Sequence, residues 1–173
     1  MITYTGNINS DFITMSENSG LYQVIVSNSN LTTGVTAIKV QDGGDYVIMN
    51  KVSIRDFNTG IHCSAPTVDS QVYLEFVDII DCNTDITMPD SLFVNFLNAE
   101  NVYTYHQTNN NPNPAIFLGS KSDINFENTV FNGNSNVTGT CFYTTSDNDI
   151  FMKTMSINNF YDAFVVSGSG TCN

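Results

Sequence analysis

The sequence predicts an all-β chain wound as a right-handed parallel β-solenoid of about five to six coils of ~25 residues. Three observations carry that expectation. Helix-forming residues are few, and no long stretch spaces its apolar residues at i, i+3, i+4. Short runs of Val, Ile, Phe and Tyr recur instead, separated by Asn, Asp, Gly, Ser and Thr. Those runs also repeat along the chain with a period in the mid-twenties.

The repeat is read in order along the chain. A weaker first turn spans Tyr22-Gln-Val24-Ile-Val26 and continues to Ile38 and Val40. The clearest copy runs from Ile48 through Val52, Ile54, Asp56 and Asn58 to Ile61. Its counterpart runs from Tyr73 through Val77, Ile79, Asp81 and Asn83 to Ile86. Phe96 with Val102, then Ile124 with Val130, mark two further copies, and the last runs from Phe151 through Met155 and Ile157 to Phe164. Two apolar columns follow, expected to face inward: Ile48, Tyr73, Phe96, Ile124, Phe151, and Ile54, Ile79, Val102, Val130, Ile157. A variable period of this size suits coils of parallel strands better than leucine-rich repeats, which need a Leu framework, or propeller blades, which need ~40 residues. Right-handed winding is the usual hand of parallel crossovers. Residues 1–173 are read as a single domain, with regular coils over 22–168 and loop insertions near 107–114 and 133–140. The first insertion carries Pro112 and Pro114, which cannot donate to a ladder.

A polar column accompanies the apolar ones: Asn58, Asn83, His106, Asn134 and then Tyr161. Asn tolerates φ > 0 in a sharp turn, and stacked amides can hydrogen-bond along a column. In this feature the sequence resembles the right-handed parallel β-helix proteins of the pectate-lyase-like superfamily, where asparagine ladders line a tight turn. The resemblance covers residues 22–168 by periodicity.

Charge excludes one class of partner. Seventeen acidic residues against five basic ones give a net charge of −12. The five cations, Lys39, Lys51, Arg55, Lys121 and Lys153, are scattered, so no basic stripe exists to displace counterions from nucleic acid. No apolar run approaches the ~18 residues of a membrane span, and residues 1–20 show no signal-peptide pattern. Asn, Thr and Ser make up about a third of the chain, and only 13% of residues are charged. Cys63, Cys82, Cys141 and Cys172 are widely spaced, with no CxxC pair, which gives little support to zinc. The first three lie in or beside apolar text and are expected in the core.

The resemblance directs attention to acids. Asn83-Thr84-Asp85 matches one piece of the polygalacturonase pattern, but no adjacent Asp pair, Gly-His-Gly or Arg-x-Lys accompanies it. Asn58-Thr59-Gly60 fills the equivalent turn without an acid. Asp56 and Asp81 stack one coil apart with Asn132 and Asn159 in the same column, beside Arg55 and Lys51. A solvated acidic flank is favoured there over a calcium site. His62 lies in an apolar strand, and His106 is read as a ladder substitute rather than a general base. Tyr73, Tyr103, Tyr105, Tyr143 and Tyr161 are candidate sugar-stacking surfaces, with several expected in the core. Asn30-Leu-Thr32 and Asn136-Val-Thr138 are glycosylation sequons by pattern alone.

No catalytic, cofactor-binding or metal-ligating residue is therefore assigned, and no cofactor is expected. The fold resemblance implies a non-catalytic structural or surface module. A virion component is the first choice: a minor capsid protein, fibre or spike that mediates assembly or attachment. The alternative is a polysaccharide-binding or polysaccharide-cleaving β-helix protein at the cell surface or outside the cell. Expected partners are other chains of an assembly, as a homo-oligomer or larger complex, and surface glycans. Nucleic acid and membrane insertion are not expected.

Overall fold

A computed structural model describes residues 2–4, 11–28, 34–41, 46–63, 68–90, 92–106, 113–119, 121–134, 139–145 and 148–167. Their strands are β1 (Ile2–Tyr4), β2 (Ile13–Met15), β3 (Gly20–Asn28), β4 (Thr36–Val40), β5 (Val47–Arg55), β6 (Thr59–Cys63), β7 (Ser70–Ile80) and β8 (Thr84–Met88). They continue as β9 (Asn95–Glu100), β10 (Tyr103–Tyr105), β11 (Ile116–Leu118), β12 (Ser122–Asn132), β13 (Thr140–Thr144), β14 (Asp149–Asn158) and β15 (Asp162–Val166). All pairings are parallel and join strands one coil apart. The fold is a parallel β-solenoid of about five turns. β3–β4 through β12–β13 form its body, with a rung at each end from β1–β2 and β14–β15. The sequence stretches at 107–112 and 135–138, within the two expected insertions, lie outside the described residues, as does the Asn30 sequon.

The long strands of the larger sheet are bent, and their side-chain alternation shows where. In β5, Val47 and Met49 point inward, then Val52 and Ile54 do, so the alternation slips by one residue at Lys51. β7 repeats this with Val72, Leu74, then Val77, Ile79, and β12 with Ile124, Phe126, then Thr129, Phe131. The slipped residue is left-handed in every coil: Gln23, Lys51, Phe76, Asn101, Asn128 and Thr154 have φ between 53° and 56°. One αL residue turns the chain outward and places its neighbours on a new face, as in a bulge. A second corner follows at Asp56, Asp81 and Asn159, also with positive φ. Each coil thus has three faces, for example residues 47–50, 52–55 and 59–63.

This geometry corrects the two expected columns. Ile48 pairs with Tyr73, but Tyr73 pairs with Asn98, which pairs with Asn125, and Asn125 with Phe151. That column faces outward. The inward one is Val47, Val72, Leu97, Ile124 and Ile150, all buried. In the second column Ile54 and Ile79 stack on Thr104, Phe131 and Ile157, with Val102 and Val130 displaced from it. The unrecognised αL corner moves the apolar phase by one residue, so a column aligned by apolar character alone drifts across it.

The core is aliphatic in the early coils and aromatic later. Phe126, Phe131 and Phe142 meet edge to face with centroids 5.0–5.6 Å apart. Burial of each such side chain contributes roughly 1.5–3 kcal/mol. Cys63, Cys82 and Cys141 are free and buried, and burial pushes the Cys63 thiol up to about 12. They behave as small core residues. On the third face Ala37, Gly60, Asp85, Ala115 and Cys141 occupy one inward column in successive coils. Four of these five are small and uncharged, and the fifth is an aspartate.

Candidate functional site

Asp85 enters the core because β8 keeps the register of its neighbours. Thr59 pairs with Thr84 and Ile61 with Ile86, which fixes Asp85 opposite Gly60 and inward. The carboxylate is fully buried and lies 2.9 Å from His106 Nε2. His106 follows β10 and is itself buried, with Phe160 packed edge-on against its ring at 6.1 Å. Its backbone N–H donates to the Asn132 carbonyl, and the Asp81 N–H donates to Tyr105. His106 therefore stands in the coil register of Asp81, two residues ahead of the asparagine column. The expected ladder role of His106 is corrected: its side chain turns into the core to meet Asp85.

Burial opposes charge on both partners. For Asp85 burial wins, so its carboxyl lies above the usual range although His106 and the Thr104 hydroxyl favour the anion. For His106 burial lowers the ring, but the Asp85 carboxylate and its hydrogen bond, Asp81 and the Cys82 carbonyl outweigh it and raise it. A carboxylate and a backbone carbonyl both accepting favour the protonated ring. Asp85 Oδ1 and Thr104 Oγ1 lack a well-formed hydrogen bond. The pair ties the turn after β10 to the third face through the middle of the solenoid.

Asp56 and Asp81 do stack, and both are left-handed. Asp56 is raised by partial burial first and by Asp81 second, against the pull of Arg55. The same backbone register carries His106, Gly133 and Asn159, so Asn132 falls one position short of that column. Asn58 and Asn83 form a true amide rung, Asn83 Nδ2 donating to Asn58 Oδ1 at 3.0 Å. Arg55 Nε donates to Ser53 Oγ at 3.0 Å. His62 lies on an outer face; burial lowers it, and Lys39 adds to that, while Lys39 itself pairs with Asp11 at 2.9 Å.

The tyrosines are corrected together. Tyr73, Tyr103, Tyr105, Tyr143 and Tyr161 are all exposed or half-buried, and none belongs to the core. Tyr73 stacks on Tyr46, Tyr103 on Tyr105, and Tyr143 on Phe117.

One acidic feature escaped the sequence reading. Asn50, Glu75, Glu100, Glu127 and Lys153 occupy one outward column of the first face. The Asn50 amide donates to Glu75, and Lys153 reaches Glu127 at the far end. Beside the column runs a groove of about 430 Å³, lined also by Tyr73, Asn98 and Asn125. The signal was present: each of these residues precedes the αL residue of its coil. Among the described residues no group of His, Cys, Asp and Glu is arranged to hold a metal ion, and no helix is long and apolar enough to cross a membrane. No protein-family model, curated protein or solved structure matches this chain.

Proposed function

We propose that this chain is a non-catalytic structural module that works by assembling with other protein chains, as a virion component such as a minor capsid protein, fibre or spike. The observation that carries this reading is the last rung. β14 is a ten-residue strand at the edge of the larger sheet, with no strand among the described residues paired to its outer side. Long apolar edge strands are templates for pairing with another chain. The rung is also apolar: Phe151 is 63% exposed, Tyr161 77% and Phe164 41%. Phe164 stacks on Phe142 with its other face free of the core. The same reading places the chain among the right-handed parallel β-helix proteins of the pectate-lyase-like superfamily, a kinship supported by the coil geometry. A partner chain laid on β14–β15 would extend both sheets and bury these rings. Multi-angle light scattering on the wild type and Phe164→Asp tests this. Concentration-dependent association of the wild type, weakened in the variant, is expected. Two superimposable monomers up to tens of micromolar would sink the reading.

A second reading has one specific observation in its favour. The glutamate column beside the Tyr73, Asn98 and Asn125 groove offers acceptors, donors and an aromatic face along one line. An extended neutral or amino-bearing glycan is the matching ligand, bound or cleaved there. Glycan-array binding that is lost in Glu100→Gln would move the account toward this reading.

A further inference from the structure

The two ends of the solenoid match each other. One inward column runs without a break from Ile2 through Val26, Ile54, Ile79, Thr104 and Phe131 to Ile157. On the third face another runs from Ile13 through Ile38, Ile61, Ile86, Ile116 and Phe142 to Phe164. Each column therefore opens at both ends of the described structure on an apolar side chain. Ile2 is 44% exposed at one end and Phe164 41% at the other. β1 and β2 are the edge strands at the first end, β14 and β15 at the last.

From this continuity we infer that the occupant of the last rung is the first rung of a second copy of this chain, stacked head to tail. The inference rests on the assembly reading above and names its partner. With one ladder spacing, ~4.8 Å, left between two copies along the axis, the register of the chain continues Ile157 and Asn158 of β14 into β1, and Phe164–Val166 of β15 into β2. In that stack Ile157 of one copy meets Ile2 of the next, and Phe164 meets Ile13. Apolar meets apolar in both columns, at the same spacing as within the chain. A tail-to-tail contact would run the strands antiparallel and break the column register. Because the contact is heterologous, it does not close on itself, and it builds rods rather than a dimer. The contact is short, since β1 and β2 are only three residues each.

The test uses complementation between damaged ends. Ile2→Asp spoils the first end and leaves the last intact, and Phe164→Asp does the reverse. Head-to-tail stacking predicts that each variant alone is monomeric by light scattering and that their equal mixture forms a dimer. If Ile2→Asp alone still dimerises, the contact is tail to tail and this inference falls while the assembly reading stands. A monomeric wild type overturns both. Circular dichroism first confirms the strand signal of each variant. Should either variant lose it, Ile2→Cys and Ile157→Cys on a Cys172→Ser background replace them. Mixed oxidation should then give predominantly the disulfide joining one of each. Only same-variant disulfides would overturn the inference.

Discussion

At the scale of single residues, the Asp85–His106 pair places two ionisable groups in the interior. Removing one partner leaves the other charge buried and unpaired, which costs about 3–5 kcal/mol. His106→Ala is therefore expected to lose that much stability in urea unfolding. Asp85→Ala together with His106→Leu is expected to lose clearly less, since Ala37 and Ala115 show that alanine fits this column. The sign of the pH dependence follows from the shifts. His106 is raised in the folded state, so the stability it contributes is complete below ~6.5 and is lost as pH rises through its folded value. Asp85 is also raised, as are Asp56 and Asp123, so their ionisation costs stability as pH rises from ~3.8 through their folded values. All four act in one direction, and the lowered His62 alone opposes them, between its folded value and ~6.5. Thermal melts should give a higher midpoint at pH 5 than at pH 9, and His106→Gln should flatten the upper part of that decline. Equal midpoints would show that the pair is not charged as described.

At the scale of the strand, the corner residues and the small column set the tolerance of each coil. Phe76 is held at φ 54° with its ring half exposed. Left-handed backbone costs a non-glycine residue roughly 1–2 kcal/mol, and Asn less. Phe76→Asn is expected to stabilise by about 1 kcal/mol in chemical denaturation, as Asn101 and Asn128 already occupy that corner. Gly60 fails the opposite test. A Cβ there would lie 2.6 Å from the Asp85 carbonyl oxygen and 2.9 Å from Ile79 Cγ2. Gly60→Ala should cost about 1–3 kcal/mol through overpacking, read from the same denaturation curves. These elements also show what the sequence could and could not reveal. The period and the absence of helix are visible in Ile48–Ile61 and Tyr73–Ile86, because two coils of equal length repeat side chain by side chain. The drift at Phe96 and Val102 is not, since β9 and β10 are separated by the corner at Asn101 and a polar Thr104 fills an inward place. The Asp85–His106 contact joins residues twenty-one apart across the core, and only the register of Gly60 against Asp85 brings them together. The glutamate column needed the same frame, in which apolar residues fall at i, i+2, i+5 and i+7 rather than in strict alternation.

At the scale of the whole molecule, the solenoid is a core of continuous columns wrapped in ladders, open at its two ends among the described residues. Its neutral polar surface now has a structural reading: asparagines serve as corners at Asn101, Asn128 and Asn159 and as an outer rung at Asn58 and Asn83. The acidic surface resists side-by-side association, because like-charged flanks such as the Glu75–Glu100–Glu127 column repel. In the proposed assembly, association is thereby directed to the apolar ends. Hydrogen–deuterium exchange across a concentration series directly addresses the proposed docking of another chain on β14. Outward amides at Ile157–Asn158 and in β15 should exchange more slowly as concentration rises, while those of β7 stay constant. Exchange in β14 that is independent of concentration, at levels where light scattering is also unchanged, would contradict the account.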